Sequence, residues 1–318
     1  MRFLVLVTIL FITEVIFIKL AKKFSIVDSS RGGNIHLRET VRGGGVIFFV
    51  STLYYHILSN FQYSLFFSGL TILSIVSLID DVKSLSIVRR LFFQFLSISL
   101  ILLELDFRVT SSWFYICVGI ICVGIINAYN FMDGINGITG GYSTIVILAL
   151  WVVNNYHTKF IENDFLIFTA LGLMVFNYFN FRTKAQCFAG DVGSISMAVI
   201  VLFLLLKLML QEQNLVYILF LSIYGVDSVL TIIHRLLLKE NIFKAHRLHL
   251  FQVLVDTLKI PHLVMASIYM LIQSIICCGI IVSLNYPLNV QLMAGFSLII
   301  LLVFAYIVVK HKVMALTV

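Results

Sequence analysis

Charge is what this chain has least of. Lys, Arg, Asp and Glu make up 12% of its 318 residues, about half the share found in soluble domains. It holds only 2 Pro. No connection between its apolar runs exceeds about 25 residues, too short for a soluble module with a core of its own. Cysteine spacing is equally uninformative. Cys117, Cys122, Cys187, Cys277 and Cys278 form no spaced pair of the metal or redox kind. Four of them lie in apolar runs, where Cys behaves as a small hydrophobe. That argues against a disulfide scaffold. The first apolar run is not expected to be a cleavable leader: it contains Glu14 and Lys19, lacks a small-residue cleavage site and is followed by many more runs. Glu14 itself reads as a residue facing the interior of a bundle.

What remains is hydrocarbon. Hydrophobic residues reach 61%, with 28 Phe, and the mean hydropathy is +1.06. Crossing a bilayer as a helix takes about 20 largely apolar residues. Runs near 3–20, 44–58, 62–79, 88–105, 112–126, 141–153, 163–180, 193–210, 214–234, 261–283 and 289–309 are candidates, about eleven spans with ten as the lower count. The runs at 112–126 and 141–153 are short, so each is expected to extend into the polar stretch between them. The fold expected is all-α: one polytopic transmembrane helix bundle over residues 1–318.

With eleven spans, alternate connections share a side. One side collects 21–43, 80–87, 127–140, 181–192, 235–260 and the C-terminal tail, and these with the span ends beside them hold 18 of the 22 Lys and Arg. By the positive-inside rule that side is cytoplasmic, the N-terminus lies outside and the C-terminus inside. The net charge of +7 then describes a surface beside membrane lipid rather than a platform for nucleic acid.

The same side carries every polar cluster: "IHLRETVRGGG", "LIDDVKS", "NAYNFMDGING", "FAGDVGS" and "AHRLHL". Asp80 and Asp81 are adjacent, so they leave a helix in different directions and can divide labour, one binding metal and one handling a proton. Standing alone, the pair reads equally as a solvated loop near Lys83. Asp133 lies between Asn130 and Gly134, where glycine permits close backbone approach and Asn both donates and accepts. The bland alternative is a polar turn. Asp191 precedes a span, so it is either an N-cap or, with Ser194, part of a helix start offering free N–H groups to an anion. His246, Arg247 and His249 suit phosphate, with an interfacial basic loop as the alternative. Asp227 lies inside the run 214–234, about seven residues or roughly 10 Å from its end at His234. An acid at that depth is either functional or paired with a neighbouring helix. Taken together, hard oxygen donors, cations and helix starts suit Mg²⁺ or Mn²⁺ holding phosphates.

In order and approximate spacing, "SLIDDVKSLS", "NAYNFMDGINGITG", "FAGDVGSIS" and "AHRLHL" resemble the signature segments of the polyprenyl-phosphate N-acetylhexosamine-1-phosphate transferases. "GVDSVLTIIHRL" resembles a segment of that family's O-antigen and teichoic-acid branch. The resemblance, spanning about residues 28–255, implies a bacterial plasma-membrane enzyme with a Mg²⁺-dependent cytoplasmic site (Mn²⁺ as the substitute). Such an enzyme passes sugar-1-phosphate from a UDP-N-acetylhexosamine to undecaprenyl or another polyprenyl phosphate and releases UMP. It also implies roles. Asp80, Asp81 and Asp133 would be catalytic, and Asp191 with Asp133 would hold the metal. Asn127, Asn130, Asn136, Asn180, His246, Arg247 and His249 would bind substrate.

Three features depart from the family pattern. "NFRTKAQCFAGD" lacks prolines common before this aspartate, Asn136 stands where many members carry Asp, and the histidine motif is H-R-x-H. The last points to the surface-polysaccharide branch and lipopolysaccharide O-antigen initiation. The reading admits a homodimer. A secondary transporter of an anionic solute is the rival class, but its coupling residues belong near the midplane in duplicated halves, and no duplicated motif is present. An inactive lipid-sugar-binding scaffold is a third reading, disfavoured because every motif acid is present.

Overall fold

The computed structural model describes residues 2–28, 40–107, 112–242 and 246–316. Arg31, Arg38 and Lys244, counted above among the cations, and residues 35–39 of "IHLRETVRGGG" lie outside the described residues. Twelve α-helices account for nearly all described structure: α1 Arg2–Lys23, α2 Val46–Leu58, α3 Ser64–Val82, α4 Ile87–Glu104, α5 Ser112–Met132, α6 Ile138–Tyr156, α7 Asn163–Asn180, α8 Gly190–Glu212, α9 Ser222–Leu237, α10 Leu250–Leu258, α11 His262–Ser283 and α12 Leu288–Met314. The all-α expectation is met. Each of the eleven apolar runs lies on one of the longer helices, the run 214–234 being a 3₁₀ stretch, Leu215–Leu221, that leads into α9. Among the described residues, eight segments are long and apolar enough by length and composition to cross a membrane, and Val46–Leu58 is apolar but shorter. The short runs do extend, α5 to Met132 and α6 back to Ile138.

One helix organises the rest. In α8, 89% of the best apolar window is buried, against 6% in α12. A helix apolar on all faces belongs inside a bundle, and α8 is packed by α2, α3, α5 and α6. Its buried side chains run from Val192 through Leu208, and Phe203 stacks on Phe66 of α3 at 4.1 Å between ring centroids. The N-terminus of α8 is therefore fixed at the mouth of the bundle, surrounded by the ends of α3 and α5.

A small extended element completes that mouth. Strand β1, Val27–Asp28, pairs antiparallel with β2, Thr40–Val41. Beyond β2 the backbone follows the segment before α8: Phe188 N donates to Val41 O at 2.8 Å, Gly44 N to Phe188 O at 2.9 Å and Gly45 N to Ala189 O at 3.1 Å. Glycine is required for that approach. A Cβ on Gly45 would stand 2.3 Å from the Gly193 Cα, and a Cβ on Gly193 would stand 2.5 Å from the Gly45 Cα.

Candidate active site

Asp81 sits at the last turn of α3 with its side chain wholly buried. It caps another helix. Its Oδ1 accepts the N–H of Asp191 at 2.9 Å and its Oδ2 the N–H of Val192 at 3.0 Å, two of the free donors in the first turn of α8. Two expectations are corrected by this. Asp191 is not the N-cap of α8, and the helix start does not offer these two N–H groups to an anion, because a carboxylate already holds them. The geometry needs Gly190, at φ +70°, whose Cβ would lie 2.7 Å from Asp81 Oδ2.

The zipped segment after β2 brings in a cation. Arg42 Nε lies 2.7 Å from Asp81 Oδ1, and its Nη2 lies 3.4 Å from Asp191 Oδ1. Arg42 thereby bridges the cap to the first turn of α8. Asn130, near the end of α5, donates from Nδ2 to Asp191 Oδ1 at 3.1 Å and to Ser194 Oγ at 2.9 Å. Asp80 points elsewhere, as adjacency requires. It accepts Leu85 N–H at 2.5 Å and faces Arg90 at 3.3 Å, close enough to Asp191 to feel its charge.

Asp133 opens the turn between α5 and α6. Thr139 Oγ1 donates to its Oδ1 at 2.6 Å. Burial, together with the charges of Asp191 and Asp81, raises its pKa from 3.8 to about 7, against the opposing pull of Thr139 and Arg42. So Asp80, Asp81, Asp133 and Asp191 share one neighbourhood. Asp133 and Asp191 line a cavity of about 250 Å³ with Arg42, Asn130, Asn136, Asn180, Phe188 and His262. That is slightly below the ~300 Å³ at the small end of ligand pockets, room for part of a substrate such as a flat base against Phe188.

The remaining asparagines divide. Asn180 binds two turns together, accepting Gly137 N–H at 2.8 Å and donating to Cys187 O at 2.8 Å. Asn136 donates to Arg182 O at 3.0 Å. Asn127 stands apart from the cavity: its Nδ2 donates to Gln94 Oε1 at 2.8 Å and to Val123 O at 2.8 Å.

The histidine loop differs from expectation too. Arg247 forks onto Asp256 at 2.8 and 3.1 Å, which lowers the Asp256 pKa. His246 Nδ1 accepts Leu248 N–H at 3.3 Å. Burial, then the neighbouring His249 and Arg235, push its pKa down to about 4, so at neutral pH it is uncharged and offers no cation. His249 is buried beside Asp227. None of the three lines the carboxylate cavity, but their loop adjoins it, since a Cβ on Gly134 would meet Gln252 Nε2 at 2.9 Å and the Phe251 ring at 3.0 Å.

Arg42, Phe188, Thr139 and His262 are the residues that motif reading left without a role. Arg42 and Phe188 stood inside quoted segments, whereas nothing in the sequence flags His262.

As for a metal, no three His, Cys, Asp or Glu side chains among the described residues already stand in cation-holding geometry. Mg²⁺ asks for less, commonly one or two carboxylates with waters and substrate phosphates completing its shell. Asp133 and Asp191, facing one cavity with Asn130, satisfy that requirement.

The family model described as "Glycosyl transferase family 4" matches residues 63–209, from α3 to α8. Over that segment this multi-pass chain is similar to that family. A Bacillus subtilis protein named as a probable undecaprenyl-phosphate N-acetylglucosaminyl 1-phosphate transferase is 25% identical over 77% of this chain and 74% of its own length. A phospho-N-acetylmuramoyl-pentapeptide-transferase of Dictyoglomus thermophilum is 30% identical over 48% of this chain and 55% of its own.

Proposed function

We propose that the chain transfers an N-acetylhexosamine-1-phosphate from its UDP derivative to a polyprenyl phosphate. An oxygen of the lipid phosphate would attack the phosphorus that bears the sugar. The bond to the nucleotide phosphate breaks, UMP leaves, and a polyprenyl-diphosphate-sugar remains. The observation that carries this reading is that Asp133 and Asp191 face the same cavity as Phe188, Asn130 and Asn180.

In this reading Phe188 receives the base, while Asn136 and Asn180 hold the walls of its pocket through the turns they fasten. Asp133 and Asp191 would hold Mg²⁺, which when bound neutralises diphosphate charge. Asp81 keeps Asp191 in place by capping α8 and by gripping Arg42, whose guanidinium stands at the cavity wall as a fixed positive charge. Asp80, close enough to Asp191 to feel its charge, is the base for the lipid phosphate. Phosphoryl transfer asks a protein mainly for such positioning and charge placement. The Lys and Arg distribution supports a cytoplasmic site, where a soluble nucleotide donor and a lipid acceptor meet at one leaflet. The name of the Bacillus subtilis relative supports a GlcNAc-type donor, and the H-R-x-H motif supports a bacterial surface polysaccharide as the product's destination.

The test is a panel of UDP-sugars read by UMP release from purified chain. Release is expected from a UDP-N-acetylhexosamine only when both Mg²⁺ and polyprenyl phosphate are added. Release that ignores the lipid would overturn the proposal.

A further inference from the structure

Among α9, α10, α11 and α12 lies a buried polar network that the proposed reaction has not used. Asp227 is 2% exposed. Its Oδ2 accepts the Tyr269 hydroxyl at 2.7 Å, and its Oδ1 accepts Leu250 N–H at 2.9 Å and the Thr231 hydroxyl at 3.2 Å. Lys310 Nζ donates to Leu248 O at 2.8 Å and to the Tyr306 hydroxyl at 2.6 Å. Leu248 and Leu250 are the two chain neighbours of His249. Both are thus fastened to membrane helices, one through a carboxylate on α9 and one through an ammonium on α12.

The ring they flank is fixed as firmly. His249 is 2% exposed and its Nδ1 stands 3.4 Å from Asp227 Oδ1, a charge contact without hydrogen-bond geometry, and its Nε2 likewise has no hydrogen-bond partner. Phe251 and Phe131 stand at 6.0 and 6.3 Å between ring centroids, and His246 at 4.9 Å. Leaving a buried polar atom unpaired is costly, a cost relieved if a ligand supplies the missing partner. Phe131 is two residues from Asp133, and Gln252 and Phe251 press on Gly134, so the ring stands next to the carboxylate turn.

We propose that Asp227 is a positioning residue that acts through His249. The carboxylate facing Nδ1 holds the proton on that nitrogen and leaves the Nε2 lone pair for the hydroxyl of a monoprotonated phosphate monoester, the chemistry of the lipid acceptor's head. Its hold on Leu250 sets the direction of the ring. This assignment rests on the phosphoryl-transfer reading.

Asp227→Asn in the full chain tests it. The kcat of UMP release should fall roughly 10- to 100-fold, as when an orienting partner of a functional His is lost. KM for the UDP-sugar and the thermal midpoint in detergent should hold. Asp227→Glu should recover part of the rate. The double variant Asp227→Asn/His249→Gln should be no slower than His249→Gln alone, because the first change acts only through the second residue. In ¹⁵N-histidine spectra the wild-type His249 should carry its proton on Nδ1, and the folded Asp227→Asn protein should mix tautomers. Additive losses in the double variant, or His249 signals unchanged by Asp227→Asn, would overturn the assignment. If Asp227→Asn does not fold, Asp227→Ser, which also removes the carboxylate, carries the same spectra, and unchanged His249 signals there overturn it equally. A wild-type chain that releases no UMP defeats the reaction instead, while the spectra still decide whether Asp227 orients His249.

Discussion

The bundle uses one device twice. At its mouth Asp81 reaches from α3 to take two N–H groups in the first turn of α8, and between the last helices Asp227 reaches from α9 to take the first N–H of α10. The surroundings differ. Asp81 is paired with Arg42 at 2.7 Å, whereas Asp227 is held by the neutral hydroxyls of Tyr269 and Thr231, with His249 at 3.4 Å. A buried carboxylate against a guanidinium is a fixed strut. One held by hydroxyls beside an imidazole leaves its neighbour free to meet a ligand. The first cap therefore builds the cavity, and the second aims a side chain toward it.

The comparison can be broken most severely at the mouth. Asp191→Asn removes a cavity carboxyl and spares the cap, because Asp81 binds the backbone N–H of residue 191 and not its side chain. UMP release should fall about a hundredfold or more, as when one preorganised charge-stabilising group is lost, with the folded fraction by size-exclusion chromatography unchanged. Near wild-type release would show that the carboxyl lining the cavity is idle. Gly193→Ala comes next. Its Cβ would stand 2.5 Å from the Gly45 Cα, so the zipped segment must withdraw and take Arg42 with it. Overpacking of this kind costs typically 1–3 kcal/mol, visible as a lowered thermal midpoint together with lost UMP release.

How much of this was legible beforehand follows from what each feature depends on. The long helices were, because a bilayer demands long apolar runs and the chain has no others. The shorter α10 was not, since Leu250–Leu258 has neither the length nor the uniform apolarity of a span. Among site residues, Asp133, Asp191, Asn130, Asn136 and Asn180 meet at one cavity as their motifs suggested. Asn127 instead pairs with Gln94 on α4, a partner 33 residues away that local reading cannot supply. Arg42 escaped for the same reason: its role exists only because residues 41–45 follow residues 186–189. Arg247 looked like a phosphate ligand until Asp256, nine residues on, was found to hold both arms of its fork.

A pH titration sharpens the contrast on the histidine side. The folded pKa of His246 lies at about 4, below its ordinary 6.5. Between these values the unfolded chain binds the proton and the folded chain does not, so stability falls as pH drops through that window. His246→Gln should flatten the fall in thermal midpoint between pH 6.5 and 4. Added inorganic phosphate should flatten it in the wild type as well, because an anion at the ring favours the charged form. If both curves match the untreated wild type, His246 is not the group being titrated.

The smallest effect separates a structural reading of Arg247 from a binding one. Its fork onto Asp256 is exposed on both sides, at 57% and 46% of the side chains, and exposed pairs are worth about 0–1 kcal/mol. Arg247→Ala should therefore barely move the thermal midpoint at pH 7. What little it removes is a contribution present above the ordinary Asp value and lost as Asp256 is protonated at lower pH, because Arg247 holds that carboxyl below its usual range. If Arg247 does nothing else, KM for polyprenyl phosphate should also stay put, and Asp256→Asn should copy Arg247→Ala. If instead the fork is a resting place that the arginine leaves for a lipid phosphate, the two variants part company. Arg247→Ala would then raise that KM, while Asp256→Asn, by freeing the guanidinium, would lower it.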